Sequence, residues 1–183
     1  MRVFLALPLP AEAVQGLKDG LAELQRRYTL LKVVRPEALH ITLVFLGERR
    51  PEEVEAVSAL LEDPVLAVPR IPACLRGYGQ FPPRGSPRVL YCPVVEGAAE
   101  VSGLQRSLIG LLRRAGVRCE EESRPFEPHL TLARNKGQRV DGGEVRALFA
   151  AELRFVFDRL VLFQSLLRPQ GAEYRPLKTV VFR

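Results

Sequence analysis

The sequence is poor in several residue types, and each shortage excludes a class of protein. It has no tryptophan, one methionine, two histidines and three cysteines in 183 residues. The widely spaced Cys74, Cys92 and Cys119 exclude a disulfide framework and offer no C-x-x-C pair for zinc. A reducing compartment, and hence a cytoplasmic location, is expected. No apolar run approaches the ~18 residues that a membrane span needs, so no membrane partner is expected.

Arginine is the abundant charged residue. The chain is 47% hydrophobic and 26% charged, which is the balance of one globular domain. Its formal net charge is +6, with 23 arginines and only 4 lysines. A basic surface suits an anionic partner such as nucleic acid. The same bias, with 15 prolines and a single asparagine, is also typical of genome composition or heat adaptation, so charge alone leaves the partner open.

The apolar pattern divides the chain into alternating strands and helices. The opening residues could pass for a short signal peptide, but the apolar run stops at Pro8, so we expect a buried first strand. The predicted helices cover residues 14–28, 51–61, 101–115 and 143–150. The predicted strands cover residues 3–7, 41–46, 89–95, 130–133, 155–163 and 179–182, with an irregular strand and a long loop over 64–87.

The order of these elements occurs twice. A strand, a long helix, a strand opening with histidine and a short helix make up residues 1–63, and the series recurs over 87–164. A period of about ninety residues is too long for a solenoid. It predicts one bilobal domain over 1–183, with two α+β lobes related by approximate twofold symmetry and the last strand completing the fold. A doubly wound parallel sheet is the alternative, but prolines stand where its glycine-rich phosphate loop would follow the first strand.

The two histidines stand in matching tetrapeptides. His40 begins His-Ile-Thr-Leu and His129 begins His-Leu-Thr-Leu, and each opens a predicted strand after a long helix. Side chains two residues apart share one face of a strand, so the histidines lie beside Thr42 and Thr131 while the aliphatic residues face the core. If the lobes pack about a twofold axis, the two polar faces line one cleft.

Two imidazoles and two hydroxyls suit acid–base chemistry at phosphorus. One ring can accept a proton while the other donates one, and threonine hydroxyls can bind the non-bridging oxygens. Either motif alone would more often be an ordinary strand edge, but their coincidence favours function. A metal site with two histidines is a third interpretation. The sequence has no further histidine and no well-placed acidic cluster to complete such a site, so neither metal nor cofactor is expected.

At these residues the chain resembles the 2H phosphoesterase superfamily, which is named for its two H-x-T-x motifs. More closely, it is similar to the bacterial RNA 2′,3′-cyclic phosphodiesterases, also called the 2′-5′ RNA ligase family. The resemblance covers nearly the whole chain. It rests on residues 2–10, 40–48, 87–91 and 125–134 and on Ser165, Gly171 and Tyr174 of the tail.

The resemblance implies a fold and a reaction. The fold is α+β, with antiparallel sheets flanking a central V-shaped cleft and helices on the outside. The reaction is metal-independent hydrolysis of a terminal RNA 2′,3′-cyclic phosphate to a 2′-phosphate, and the family name also records reversible 2′-5′ ligation of tRNA halves. Carried onto this chain, His40 donates a proton to the leaving ribose oxygen and His129 is the base on water. Thr42, Thr131 and Arg134 would bind the phosphate.

The residues around Arg134 and His40 bear on the roles that the resemblance implies for them. Arg134 lies five residues after His129, so a regular strand would aim it away from the cleft; a bulge or strand end at Ala133 would return it. For the proton donor, the nearby carboxyl group of Glu37 would raise the pKa of His40 and favour its charged form.

Other functions remain open from the sequence. One alternative is a 2H enzyme acting on a small cyclic phosphate, such as ADP-ribose 1″,2″-cyclic phosphate. Another is a non-catalytic RNA-binding module that uses the same basic cleft, although pure binding would be served by arginine and lysine without two His/Thr pairs. The chain is expected to act as a monomer on RNA.

Overall fold

The computed structural model describes residues 1–119, 125–168 and 171–183. Ten β-strands and four α-helices occupy this part of the chain. The strands are β1 (Arg2–Pro8), β2 (Leu31–Val33), β3 (His40–Glu48), β4 (Ile71–Leu75), β5 (Gly79–Phe81), β6 (Val89–Glu96), β7 (His129–Asn135), β8 (Leu153–Phe157), β9 (Arg159–Arg168) and β10 (Gly171–Val181). The helices are α1 (Ala11–Arg27), α2 (Pro51–Leu60), α3 (Ala98–Arg114) and α4 (Gly142–Leu148).

The strands form two sheets whose pairs are antiparallel. The first sheet has four strands in the order β10-β9-β1-β3. The second has six, in the order β2-β7-β6-β4-β8, with β5 also paired to β6. Strands β3 and β7, which begin with the two histidines, approach each other across the space between the sheets.

The helices cross over between the two sheets. Helix α1 follows β1 of the first sheet, yet its apolar stripe, which includes Leu17 and Leu24, lies against β2, β8 and α4. Helix α3 follows β6 of the second sheet, yet it packs on α2 and β3 and also reaches β4 and β6. Burial of these stripes is the main source of helix stability in a folded domain. Each sheet is therefore covered in part by a helix from the opposite half of the chain.

Most of the predicted elements are present. All four helices are confirmed within three residues at each end, and β1, β3, β6 and β7 lie where strands were predicted. The antiparallel α+β architecture is confirmed as well. Cys74, Cys92 and Cys119 are free thiols. None of the helices in the described ranges is long and apolar enough to cross a membrane.

The prediction of one strand over 155–163 is wrong. The chain leaves β8 of the second sheet at Phe157 and enters β9 of the first sheet at Arg159. Asp158 occupies the crossing point, where its carboxylate accepts hydrogen bonds from Arg159 and its carbonyl group accepts one from the Phe182 amide. A continuous apolar pattern does not reveal such a change of sheet, because both strands bury the same residue types.

Candidate active site

A cleft of about 530 Å³ lies between the two sheets and contains both H-x-T-x motifs. All five predicted site residues line it: His40, Thr42, His129, Thr131 and Arg134. The aliphatic residues of the motifs face the core, as expected, because Ile41 and Leu130 are fully buried while the neighbouring histidines and threonines are only partly buried. The structure thus brings together side chains that lie about ninety residues apart in the sequence.

A bulge in β7 turns Arg134 toward the cleft. Leu90 pairs with Ala133 and Tyr91 pairs with Thr131, so Leu132 is left without a partner in the register. One extra residue reverses the alternation of side chains along the strand. The bulge lies one residue before the predicted position at Ala133, and its effect on Arg134 is the one expected.

The first motif contains the same irregularity at the same place. Leu5 pairs with Val44 and Ala6 pairs with Thr42, so Leu43 is skipped just as Leu132 is. Each bulge stands three residues after its histidine. The residue five positions after His40 is Phe45, which lines the cleft as Arg134 does.

Both imidazoles are held by backbone carbonyl groups. Nδ1 of His40 lies 2.7 Å from the Ala38 oxygen, and Nδ1 of His129 lies 2.6 Å from the Glu127 oxygen. A ring nitrogen this close to a carbonyl oxygen carries the hydrogen and donates it, so Nε2 of each neutral ring keeps its lone pair. Nε2 of His40 lies 3.0 Å from Thr42 Oγ1, which places the threonine hydroxyl as the donor to it.

Aromatic rings pack against each histidine. The centroid of each imidazole lies 5.0 or 5.1 Å from the centroids of two aromatic rings. The pairs are Phe4 and Tyr174 for His40, and Phe81 and Tyr91 for His129. Such contacts restrict the orientation of a ring and reduce its hydration. Sequence reasoning did not place Phe45 or Tyr174 in the cleft; only the resemblance of the tail pointed to Tyr174.

The expectation that the pKa of His40 is raised is wrong, because the folded protein lowers it. Burial lowers the pKa of His40 to about 4, against a gain from the Ala38 hydrogen bond, and the charges of Arg134 and His129 lower it further. Glu37 does not compensate, because its exposed carboxylate pairs with Arg35 at 3.5 Å. Glu37 is therefore close to His40 in the sequence without acting on its imidazole. With a pKa of about 4, His40 is neutral at pH 7.

The described residues contain no group of three or more His, Cys, Asp or Glu side chains arranged to hold a metal ion. Cationic groups of the cleft come instead from Arg2 and Arg134, and Glu127 contributes a carboxylate beside the second motif. Imidazoles, hydroxyls and guanidinium groups form a donor set that is suited to a phosphate.

Comparisons with known proteins agree with this arrangement. A family model of the 2′-5′ RNA ligase superfamily matches residues 8–167. An RNA 2′,3′-cyclic phosphodiesterase of Thermus thermophilus is 35% identical to the chain, over 100% of the chain and 91% of that protein. A protein with the same name from Archaeoglobus fulgidus is 31% identical, over 97% of the chain and 98% of that protein.

Solved structures show the same fold. The crystal structure of TT0787 of Thermus thermophilus has a TM-score of 0.83 at 32% identity, covering 100% of this chain and 98% of that one. E. coli LigT in apo form has a TM-score of 0.74 at 24% identity, covering 99% and 96%. With the family model spanning both histidine motifs, the chain belongs to the 2′-5′ RNA ligase superfamily.

Proposed function

We propose that this protein hydrolyses the terminal 2′,3′-cyclic phosphate of RNA to a 2′-phosphate. The observation that carries the proposal is the pair of imidazoles that line one cleft from opposite sheets, each with Nδ1 bound to a backbone carbonyl group. Curated relatives that match nearly the whole chain carry the name RNA 2′,3′-cyclic phosphodiesterase, which supports the same activity here.

The phosphate would lie between the two motifs. Thr42 and Thr131 present hydroxyl groups from opposite sheets, and Arg134 adds a guanidinium from the β7 side. These donors would bind the non-bridging oxygens, where negative charge accumulates as phosphorus becomes pentacoordinate. Preorganised donors of this kind stabilise the transition state more than the ground state.

Hydrolysis needs one proton removed and one supplied. Nε2 of His129 would take a proton from water as the water oxygen bonds to phosphorus. As the bond from phosphorus to O3′ breaks, protonated Nε2 of His40 would donate to O3′, leaving a 2′-phosphate and a free 3′-hydroxyl. Attacking and leaving oxygens stand on opposite sides of phosphorus, which two rings on opposing sheets can serve.

The lowered pKa of His40 bears on its assignment as the acid. A bound cyclic phosphate brings a negative charge next to the ring and thereby raises the pKa of His40. The same anion would draw the Thr42 hydroxyl away from Nε2 and leave that nitrogen free to carry the transferred proton. His40 as the acid therefore requires that the substrate itself promotes protonation of the ring.

The decisive experiment identifies the product. The purified protein is incubated, with and without excess EDTA, with an oligoribonucleotide that ends in a 2′,3′-cyclic phosphate. We expect a 2′-phosphate at an equal rate in both samples. A 3′-phosphate would reject the proposed orientation of the substrate, and loss on chelation with recovery on adding a divalent ion would place the reaction in the metal-dependent class.

A second experiment assigns the two rings. A substrate with sulfur in place of O3′ has a leaving group that needs little protonation, so it should restore activity to His40→Ala and leave His129→Ala inactive. Rescue of His129→Ala instead would reverse the roles. The use of tRNA halves in ligation, the monomeric state and the cytoplasmic location stay predictions, and the same assay with ADP-ribose 1″,2″-cyclic phosphate tests the small-molecule alternative.

A further inference from the structure

A row of polar side chains crosses the first sheet on the face that lines the cleft. Tyr174 of β10 pairs with Ser165 of β9. Val3 of β1 pairs with Gln164, so continuing that register by one residue places Arg2 opposite Ser165. Arg2, Ser165 and Tyr174 therefore stand side by side on three adjacent strands, and all three line the cleft. We call Arg2, Ser165 and Tyr174 the polar row.

The donors of the polar row have no partner among the residues that the structure describes. No carboxylate pairs with the Arg2 guanidinium there, and no hydrogen bond occupies the hydroxyl of Ser165 or Tyr174. Some other arginines are paired with carboxylates, as Arg159 is with Asp158 and Arg154 with Glu152. Three unoccupied donors side by side in a cleft form a surface that an anion can bind.

The Arg2 end of the polar row lies away from the seat of the reacting phosphate. Thr42 pairs with Ala6, and Arg2 lies four residues further along β1, which is about 13 Å between backbone positions at ~3.3 Å per residue. The aromatic rings of Phe4 and Phe45 occupy the interval and line the cleft. A ligand that extends along this face meets phosphate donors, then an apolar stretch, then a second set of donors.

The positive charges of the cleft also lie at both of these places, with Arg134 near His40 and Arg2 in the polar row. Arg134 acts on His40, together with the larger effect of burial on that ring. Burial raises the pKa of Tyr174, and the charges of Arg134 and Arg2 oppose that rise. Tyr174 also packs its ring against His40 at 5.0 Å, so it stands between the reacting centre and Arg2. Arg2 thus provides positive charge at the start of β1, four residues from the strand partner of Thr42.

We propose that the polar row binds a second phosphate of the RNA, the phosphodiester on the 5′ side of the terminal nucleotide. This inference rests on the proposed function, since it assumes that a terminal cyclic phosphate occupies the histidine motifs. The terminal nucleoside would then lie over Phe45, which is only partly buried, with one phosphate at each end. Substrates that carry a single phosphate would leave the polar row empty.

The test compares two dinucleotides that end in a 2′,3′-cyclic phosphate and differ in the linkage between the nucleosides. One has the natural phosphodiester and the other has an uncharged methylphosphonate. For the wild-type protein, we expect kcat/KM to be roughly five- to tenfold higher with the charged linkage. A partly exposed hydrogen bond to a charged group contributes an effect of about this size. Arg2→Gln should bring the ratio close to one, and Ser165→Ala and Tyr174→Phe should lower it by about twofold each.

Arg106→Gln is the matched control, because it removes one charge from an exposed position on α3 outside the cleft. It should keep the wild-type ratio. A wild-type ratio of one, or a ratio that Arg2→Gln leaves unchanged, would overturn the inference. Calorimetric titration with the same two linkages in dinucleotides that end in a 2′-phosphate measures the ratio without turnover, so the subsite is tested even if hydrolysis fails and the proposed function falls.

Discussion

The two histidine motifs can be compared residue by residue. In each, a strand opens with histidine, Nδ1 of the ring donates to the carbonyl group two residues earlier, and two aromatic rings pack against it. In each, a bulge three residues after the histidine interrupts the register, at Leu43 and at Leu132. The approximate symmetry therefore extends to an irregularity of the backbone, and a shared irregularity of this kind points to a functional requirement.

The motifs differ in what the bulge presents to the cleft. The first presents the ring of Phe45 and the second presents the guanidinium of Arg134. A cleft with identical halves would bind a phosphate in two equivalent orientations. A guanidinium at one position and an aromatic ring at its counterpart make the two motifs unequal, and we expect this difference to give a bound nucleotide one direction. The predictions below test this comparison.

The largest effect is expected from the histidines, where the two motifs should be equivalent. His40→Ala and His129→Ala should each lower turnover by at least about 10²-fold, because each removes one of two coupled proton transfers. The double variant should be little worse than the poorer single variant. Single-turnover assays and circular dichroism would separate chemistry from folding, and near-normal activity in either single variant would end the mechanism with two histidines.

The next effect concerns the residues in which the motifs differ. Arg134→Phe makes the second motif resemble the first, and kcat/KM should fall roughly 10- to 100-fold, because the phosphate loses a charged donor. Phe45→Leu, which changes the equivalent position without a change of charge, should cost less than about threefold. Steady-state kinetics of both variants on the same oligonucleotide would measure the two losses in kcat/KM. Equal losses in the two variants would remove the distinction between a cationic and an aromatic half.

A third effect concerns stability against acid. Because burial lowers the pKa of His40 to about 4, the unfolded chain binds a proton that the folded protein excludes. Stability should fall as the pH drops from about 6.5, the pKa of an exposed histidine, toward 4, with the loss complete below 4. Between pH 7 and 4, the loss should be about 3 kcal/mol larger for the wild type than for His40→Gln. Urea titrations at several pH values measure it, and parallel curves for the two proteins would contradict the lowered pKa.

The smallest effect concerns salt. If the arginines of the cleft bind an RNA backbone, the affinity for an oligonucleotide should fall steeply as the salt concentration rises. The affinity for a mononucleoside 2′,3′-cyclic phosphate should fall less steeply, since fewer charges are paired. Equilibrium binding of both ligands over a salt series gives the two slopes. Equal slopes would favour the small cyclic phosphate as the natural substrate.

Local patterns were enough to predict the strands that carry the histidines and the shared face of His40 and Thr42, because period-two alternation is a local property. The alternation of side chains along a strand, together with a bulge at Ala133, predicts that Arg134 faces the cleft. The structure has the bulge at Leu132, one residue earlier. The pKa of His40 was beyond reach, because it depends on Phe4 and Tyr174, which arrive from other strands. The change of sheet at Asp158 was missed for the same reason: pairing partners are set by tertiary contacts.

The crossing of elements between the sheets has a consequence for folding. β9 and β10 complete the sheet that begins with β1, and β2 completes the sheet that holds β6. Neither sheet can be completed until the last third of the chain has been made, so the contact order is high and folding should be slow for a chain of this size. A fragment that ends near Glu96 would lack β9 and β10 of the first sheet and β7 and β8 of the second. The catalytic geometry therefore appears only in the final cooperative step, when distant segments of the chain close on each other.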